Sequence, residues 1–412
     1  MEVWTRLRGN PTRIMAVPHR CMLATASTTR MRQMKSPISP TQARDFFLRT
    51  RRSFSSSPNS RLSLEASSPD VKKAQAYCTS LVRTYDSPSY TLAHFIPSHM
   101  QPAYFAIRAF NIELARIPDV VSMPQIGAMR MQFWRDTIDK TFKGTPPLEP
   151  VAILLAAYLD QGYKMSKTWF QRIISARDRK LTHPGFTNME ELESYAESTY
   201  STLLYLTLSA LPLEALTTDH LASHIGKAAG IAAVLRGVPL LAFPPPPNLH
   251  SNNPAGMGLP ATREKQGVVT LPLDVMSQCG VKEEDVFRQG ANAAGLRDAV
   301  FSVATRASDH LITARTMLKN VQEFKDPGHE YEHMHDEGHD YGKHDSHDSA
   351  PAEKRKEDKD KAFGIVMGPA VSTQLWLDRL QKVDFDIFND SLRRAEWKLP
   401  FIAWQRNRKG EF

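Results

Sequence analysis

Between residues 70 and 320 apolar side chains recur every three or four positions, while strand-like alternation bounded by turn residues is scarce. A period near 3.6 puts such side chains on one stripe of a helix, so this chain must bury stripes against one another instead of building a sheet. The clearest run is 296–318, where Leu296, Val300, Val303, Ala307, Leu311, Ala314 and Leu318 line one face. Further helices are expected around 71–85, 102–117, 124–142, 150–162, 166–177, 189–211, 219–236 and 283–293, with Pro and Gly marking several of their boundaries. The fold class is all-α, and for 412 residues one large helical domain with tails is the simplest organisation.

Two stretches interrupt the pattern. From 243 to 263 four consecutive prolines, Pro244 to Pro247, are followed by Asn, Ser, Gly and Pro; without backbone donors this segment cannot continue a helix and is expected to loop. Residues 325–361 hold almost no aliphatic side chains and are crowded with His, Asp, Glu and Lys, so they are expected to be a disordered insert. Its histidines at 329, 333, 335, 339, 344 and 347 are metal-ligand types, but a polar tract without a fixed shell makes no defined site, and no metal is assigned. Beyond it, 363–412 turns apolar again, with Trp376, Leu380, Phe385, Phe388, Trp397, Phe401 and Trp404, and is expected to pack back on the helical domain.

The net charge of +8 would suggest a nucleic-acid partner if it were spread over the chain. It is not: residues 1–60 carry eleven Lys and Arg against Glu2 and Asp45, whereas the remainder holds 41 basic and 42 acidic side chains. An Arg-rich, Ser/Thr-rich, acid-poor leader is the composition of a mitochondrial transit peptide, so 1–60 is assigned as one and no nucleic-acid partner is expected. Cys21 lies in that leader, and Cys78 and Cys279 alone supply neither a disulfide framework nor a zinc spacing. No run of 18 apolar residues occurs; 203–216 is broken by Pro212 and Glu214, and 228–247 by Arg236 and Pro239. Membrane contact is therefore expected to be peripheral.

Within the helical body, residues 87–115, SPSYTLAHFIPSHMQPAYFAIRAFNIELA, resemble the opening of the squalene/phytoene synthase family. Phe133-Trp134-Arg135-Asp136 is similar to the family's Trp-Arg helix, and 195–208 to its central helix. Residues 233–273 are similar to its second substrate-binding helix with the loop and Leu-Pro-Leu-Asp that follow, so the likeness covers about 71–320. It implies an isoprenoid-synthase-like helical bundle around a central cavity. The C-terminal LDRLQKVDFDIFNDSLRRAEWKLPFIAW further resembles the family's mitochondrial branch, whose members are assembly factors of respiratory complex I.

Enzymes of this family join two prenyl diphosphates with Mg²⁺ assisting departure of diphosphate, which requires carboxylate pairs on two facing helices. In the first motif helix the residues at issue are Asn111, Glu113 and Arg116. Glu113 is the single acid in 103–117, its i−4 and i+4 neighbours are Ala109 and Ile117, and Arg116 stands where a further carboxylate is expected. In the second, Leu-Arg-Asp is replaced by Leu235-Arg236-Gly237, the downstream partner position is Leu241, and no Asp or Glu occurs from 220 to 263. Glu193 with Glu197, and Asp386 with Asp390, have i, i+4 spacing, but they are expected to be surface charges. No catalytic residue and no cofactor is assigned; Arg135 and Arg236 are the candidate contacts for an anion or lipid head group.

The resemblance and the missing carboxylates together imply a non-catalytic family member, delivered to the matrix side of the inner membrane and acting in complex I assembly. Its implied partners are complex I subunits or other assembly factors. The alternative is an active Mg²⁺-dependent head-to-head prenyltransferase. The helical cavity either accepts a lipid or isoprenoid tail or is closed as core, and both choices stand at this stage.

Overall fold

A computed structural model describes residues 68–121, 123–210, 216–244, 267–322 and 363–412. The basic leader expected to be a transit peptide, Cys21, the His-rich insert and most of the proline-initiated loop lie outside the described residues. Helix α1 (Pro69–Tyr85) starts where the Ser68 hydroxyl accepts the Val71 N–H, with proline at its first position, where no donor is needed. Asp86 closes α1 and opens α2 (Ser87–Leu92): its N–H donates to the Val82 carbonyl at 2.8 Å and its carboxylate accepts the Ser89 N–H at 3.2 Å. Helix α3 (Gln101–Val120) is buried on nearly every side. It packs against α1, α4 (Pro124–Phe142), α5 (Pro150–Asp160) and α6 (Lys167–Thr182). Among the described residues no β-strand forms, only an isolated bridge between Phe186 and Pro272.

The expected helix over 189–211 is divided. Helix α7 (Met189–Ala196) runs into a π-helical turn, Glu197–Ser201, and continues as α8 (Thr202–Ser209). The turn tolerates the close approach of α9 (Leu216–Ala242), because Gly226 lies against the Ser201 backbone and Gly230 against Ala196, where a Cβ would come within 2.5 Å of the alanine side chain. Helix α9 also runs six residues past its expected end, through Pro239. Tertiary burial of Val238 and Ala242 outweighs the hydrogen bond that the proline forfeits. Residues 219–242 thereby become one apolar helix long enough to cross a membrane, a length that the interrupted sequence did not suggest. Ala222, Ile225, Ala228, Ile231, Ala232, Leu235 and Val238 are nevertheless packed in the protein core, against the π turn and the helices Leu296–Gln322 and Gly368–Lys382.

Helices α10 (Leu273–Gln278), α11 (Glu283–Gln289) and α12 (Leu296–Gln322) follow, and the apolar stripe expected on 296–318 is the buried face of α12 against α9. The Leu-Pro-Leu-Asp segment is pinned to the entry of α7: Leu273 N–H donates to Phe186 O, Asp274 N–H to Thr187 O, and the Asp274 carboxylate accepts the Met189 N–H. In the C-terminal segment a buried π turn, Phe363–Met367, leads into α13 (Gly368–Lys382), which lies on α9. Trp376 and Leu380 are buried and Phe385 and Phe388 are partly so. Trp397, Phe401 and Trp404, around α14 (Leu399–Lys409), differ from the sequence expectation: they point outward, because α14 seats itself through Leu399 and Ala403 on the opposite side.

Candidate functional site

The helices carrying the two motifs, α3 and α9, meet around a buried polar cluster. Helix α3 supplies Arg108 and Asn111, both under a tenth exposed on a helix otherwise apolar at this level. An i, i+3 spacing sets the two on one face. The Asn111 Oδ1 accepts a hydrogen bond from Arg177 Nη2 on α6, and Arg177 Nη1 also reaches the Tyr195 hydroxyl at 3.4 Å. Arg108 lies 3.9 Å from the Asp86 carboxylate and over the Tyr104 ring, whose hydroxyl donates to Ser89 O. Tyr200, on the π turn, lies within electrostatic reach of Arg177, Arg236 and Asp86, and burial pushes its phenol upward.

Arg236 closes the cluster from α9. Its Nε donates to Ala232 O at 3.2 Å, its guanidinium stacks over the Trp376 ring, and burial pulls its ionisation downward. Three guanidinium groups are thus gathered with one carboxylate among the described residues, Asp86, which is already engaged as the α2 cap. The Nε atoms of Arg108 and Arg177 are buried donors without an acceptor among the described residues. Buried donors of this kind are costly unless an acceptor reaches them, so the arrangement suits an anion. It does not fit a diphosphate-bound Mg²⁺, which demands several carboxylate oxygens close by: the cluster offers one carboxylate, Asp86, already engaged as a helix cap, beside an amide, a phenol and three guanidinium groups whose charge repels the ion.

The other sequence-selected residues lie elsewhere. Glu113 faces away from the cluster, accepting the Tyr77 hydroxyl of α1 at 2.6 Å, and Arg116 stacks on Tyr85 at 4.1 Å. Gly237 has open space for a Cβ up to Leu241 at 3.8 Å, and Leu241 is partly exposed, its carbonyl accepting the Val268 N–H. Arg135 lies apart from the cluster, paired with Asp178 of α6 at 2.6 Å. Glu193 and Glu197 face α12 and α9, away from the cluster: Glu193 is held by Arg306 and His310, Glu197 by Tyr205, Ser223 and Lys227. Of the residues singled out in the sequence, only Asn111 and Arg236 meet. Arg108, Arg177, Asp86 and Tyr200 were missed, although a polar pair at i, i+3 inside an apolar helix was a visible signal for Arg108.

The squalene/phytoene synthase profile matches residues 82–400, from the end of α1 into α14. The chain belongs to the squalene/phytoene synthase family. A dehydrosqualene synthase solved with a ligand superposes with a TM-score of 0.58 over 82% of this chain and 97% of its own, at 14% identity, and so shares the isoprenoid-synthase fold. Within the family, the chain is 35% identical over 361 residues to "NADH dehydrogenase (ubiquinone) complex I, assembly factor 6" of Mus musculus, covering 88% of this chain and 90% of the relative. The protein of that name from Homo sapiens is 34% identical over 339 residues, 82% and 83% of the two chains.

Proposed function

We propose that this family member acts in the assembly of mitochondrial respiratory complex I, without catalysing prenyl transfer. The observation that carries the reading is the pairing of two facts. Relatives named as complex I assembly factor 6 align across more than four-fifths of both chains. At the same time, the helix faces that converge in the body carry Asn111 and three arginines, whereas prenyl transfer needs paired carboxylates. The acid-poor basic leader supports delivery to the matrix, where such a protein meets complex I subunits or other assembly factors at the inner membrane and touches the membrane peripherally. The arginine cluster suits an anionic head group of a lipid or isoprenoid ligand better than a metal.

The test is deletion of the gene in its own organism, followed by native-gel complex I levels and rotenone-sensitive NADH oxidation. Selective loss of complex I, restored by the wild-type copy and by a Glu113→Gln copy, is the expected result. Family membership alone favours the second reading, an active Mg²⁺-dependent prenyltransferase. Product formed by the purified chain from farnesyl or geranylgeranyl diphosphate with Mg²⁺ would establish that reading and overturn the first.

A further inference from the structure

The segment after α13 carries a surface that the assembly reading does not use. Phe401 and Trp404, at i and i+3 on α14, are 65% and 49% exposed and form an outward stripe, and Trp397, in the turn just before the helix, adds an 80% exposed indole. This stripe is firmly held. Leu399 and Ala403 are buried beneath it, and the following Phe412 is buried too, with its carbonyl accepting from Arg315 Nε at 3.0 Å and its ring under the same guanidinium. Cations are interleaved with the rings: Lys398 lies over Trp397 and Arg408 over Trp404.

The local charge is one-sided. From 393 to 412 there are six Lys and Arg and two acids. Glu396 is taken by Arg379 and Glu411 by Arg406, leaving Arg394, Lys398, Arg408 and Lys409 without a carboxylate partner among the described residues.

Beside the start of α14 opens a groove of about 600 Å³, lined by Leu399, Arg379, Arg393, Arg394, Tyr85 and Leu240 among others, with Arg236 and Trp376 in its wall. Tyr85 and Leu240 are themselves more than half exposed, and four arginines, Arg236, Arg379, Arg393 and Arg394, line the groove against one acid, Glu396, which Arg379 engages. Trp376 is 6% exposed, and its indole N–H has no acceptor among the described residues. A donor left open in the wall of a cationic groove calls for an acceptor-bearing, anionic occupant.

We propose that α14 and this groove form the face that docks on an anionic phospholipid bilayer, the aromatic stripe entering the headgroup layer and Arg394, Lys398 and Arg408 engaging lipid phosphates. Indole rings interleaved with basic stems match the interfacial region, where an apolar body and a polar tip are both satisfied. A second exposed apolar stripe, Ile126, Met129 and Phe133 on α4, is flanked by Arg130 and Asp136 alike and carries no such charge selection. The proposal deepens the peripheral-contact reading above and rests on it for the identity of the membrane.

The experiment is vesicle flotation of the chain isolated from mitochondria, on phosphatidylcholine vesicles with and without phosphatidylglycerol. Trp397→Ser/Phe401→Ser/Trp404→Ser is expected to lower partitioning on anionic vesicles by at least about tenfold. Arg394→Glu/Arg408→Glu, a second and independent variant, is expected to abolish the preference for anionic over neutral vesicles. Either variant floating like the wild type overturns the proposal. Complementing the deletion strain separates the two readings. A triple variant that still floats but fails to restore complex I marks the stripe as a protein-docking surface, which overturns bilayer docking and leaves the assembly role standing. Face-dependent flotation together with normal complex I in the deletion strain supports docking and overturns the assembly role.

Discussion

Replacing Glu193 by Gln separates a structural carboxylate from a metal ligand. The side chain is 16% exposed and joins α7 to α12 through Arg306 Nη2 at 3.3 Å, Arg306 Nε, and His310 Nε2 at 3.5 Å. Burial alone would raise its ionisation, but the hydrogen bonds and charges of His310 and Arg306 outweigh it and hold the carboxyl at about 2, against an ordinary 4.5. By linkage that difference corresponds to at most about 3 kcal/mol of folding stability. Arg306 is half exposed, so solvent screening brings the expected loss to about 2 kcal/mol at neutral pH. The folded-state value is the lower one, so the contribution is fully present above pH 4.5 and is lost as the pH falls through about 2. Urea unfolding of wild type and Glu193→Gln at a series of pH values should give curves about 2 kcal/mol apart at pH 7 that converge below pH 4.5. Complex I in the complemented strain should persist at a permissive temperature. Equal stabilities at pH 7, or a gap that stays constant down to pH 3, would refute the ion-pair reasoning.

Three further outcomes follow from other contacts. His224 is held at about 4 by burial, with the neighbouring His310 and Lys227 adding to the effect, so its NMR titration midpoint should lie near 4. Because the folded form resists protonation, stability should fall as pH drops from 6.5 toward 4, and His224→Gln should remove that slope. Gly226→Ala forces a Cβ into the Ser201 backbone and should cost about 3 kcal/mol or more, read as a lowered urea midpoint or loss of folded protein. Asn111→Asp restores one carboxylate facing Arg177 and should yield no product from farnesyl diphosphate and Mg²⁺, because α9 still presents Arg236 and Gly237.

How far the sequence could be read depended on the range of the interaction. The stripe of Leu296, Val300, Val303 and Ala307 was legible because it follows from helical geometry, and so was the boundary of α4 at Pro124. The extension of α9 through Pro239 and the π turn at 197–201 were not legible: both are local costs met by burial against other helices. The same limit governs the polar residues. Spacing flagged Glu193 with Glu197 and Glu113 as carboxylates of interest, yet whether they meet a metal, an arginine or a tyrosine is set by which helix lies opposite.

By itself the sequence determined the all-α class, the order of helices and the family, since each is a property of residue identity and spacing along one chain. Tertiary structure alone decided that Arg108, Arg177 and Arg236 converge on Tyr200 and Asp86, and that Trp397, Phe401 and Trp404 face outward while Trp376 faces in. The physical reason is that a helix fixes which side chains share a face, whereas the packing of helices distant in sequence fixes what that face meets.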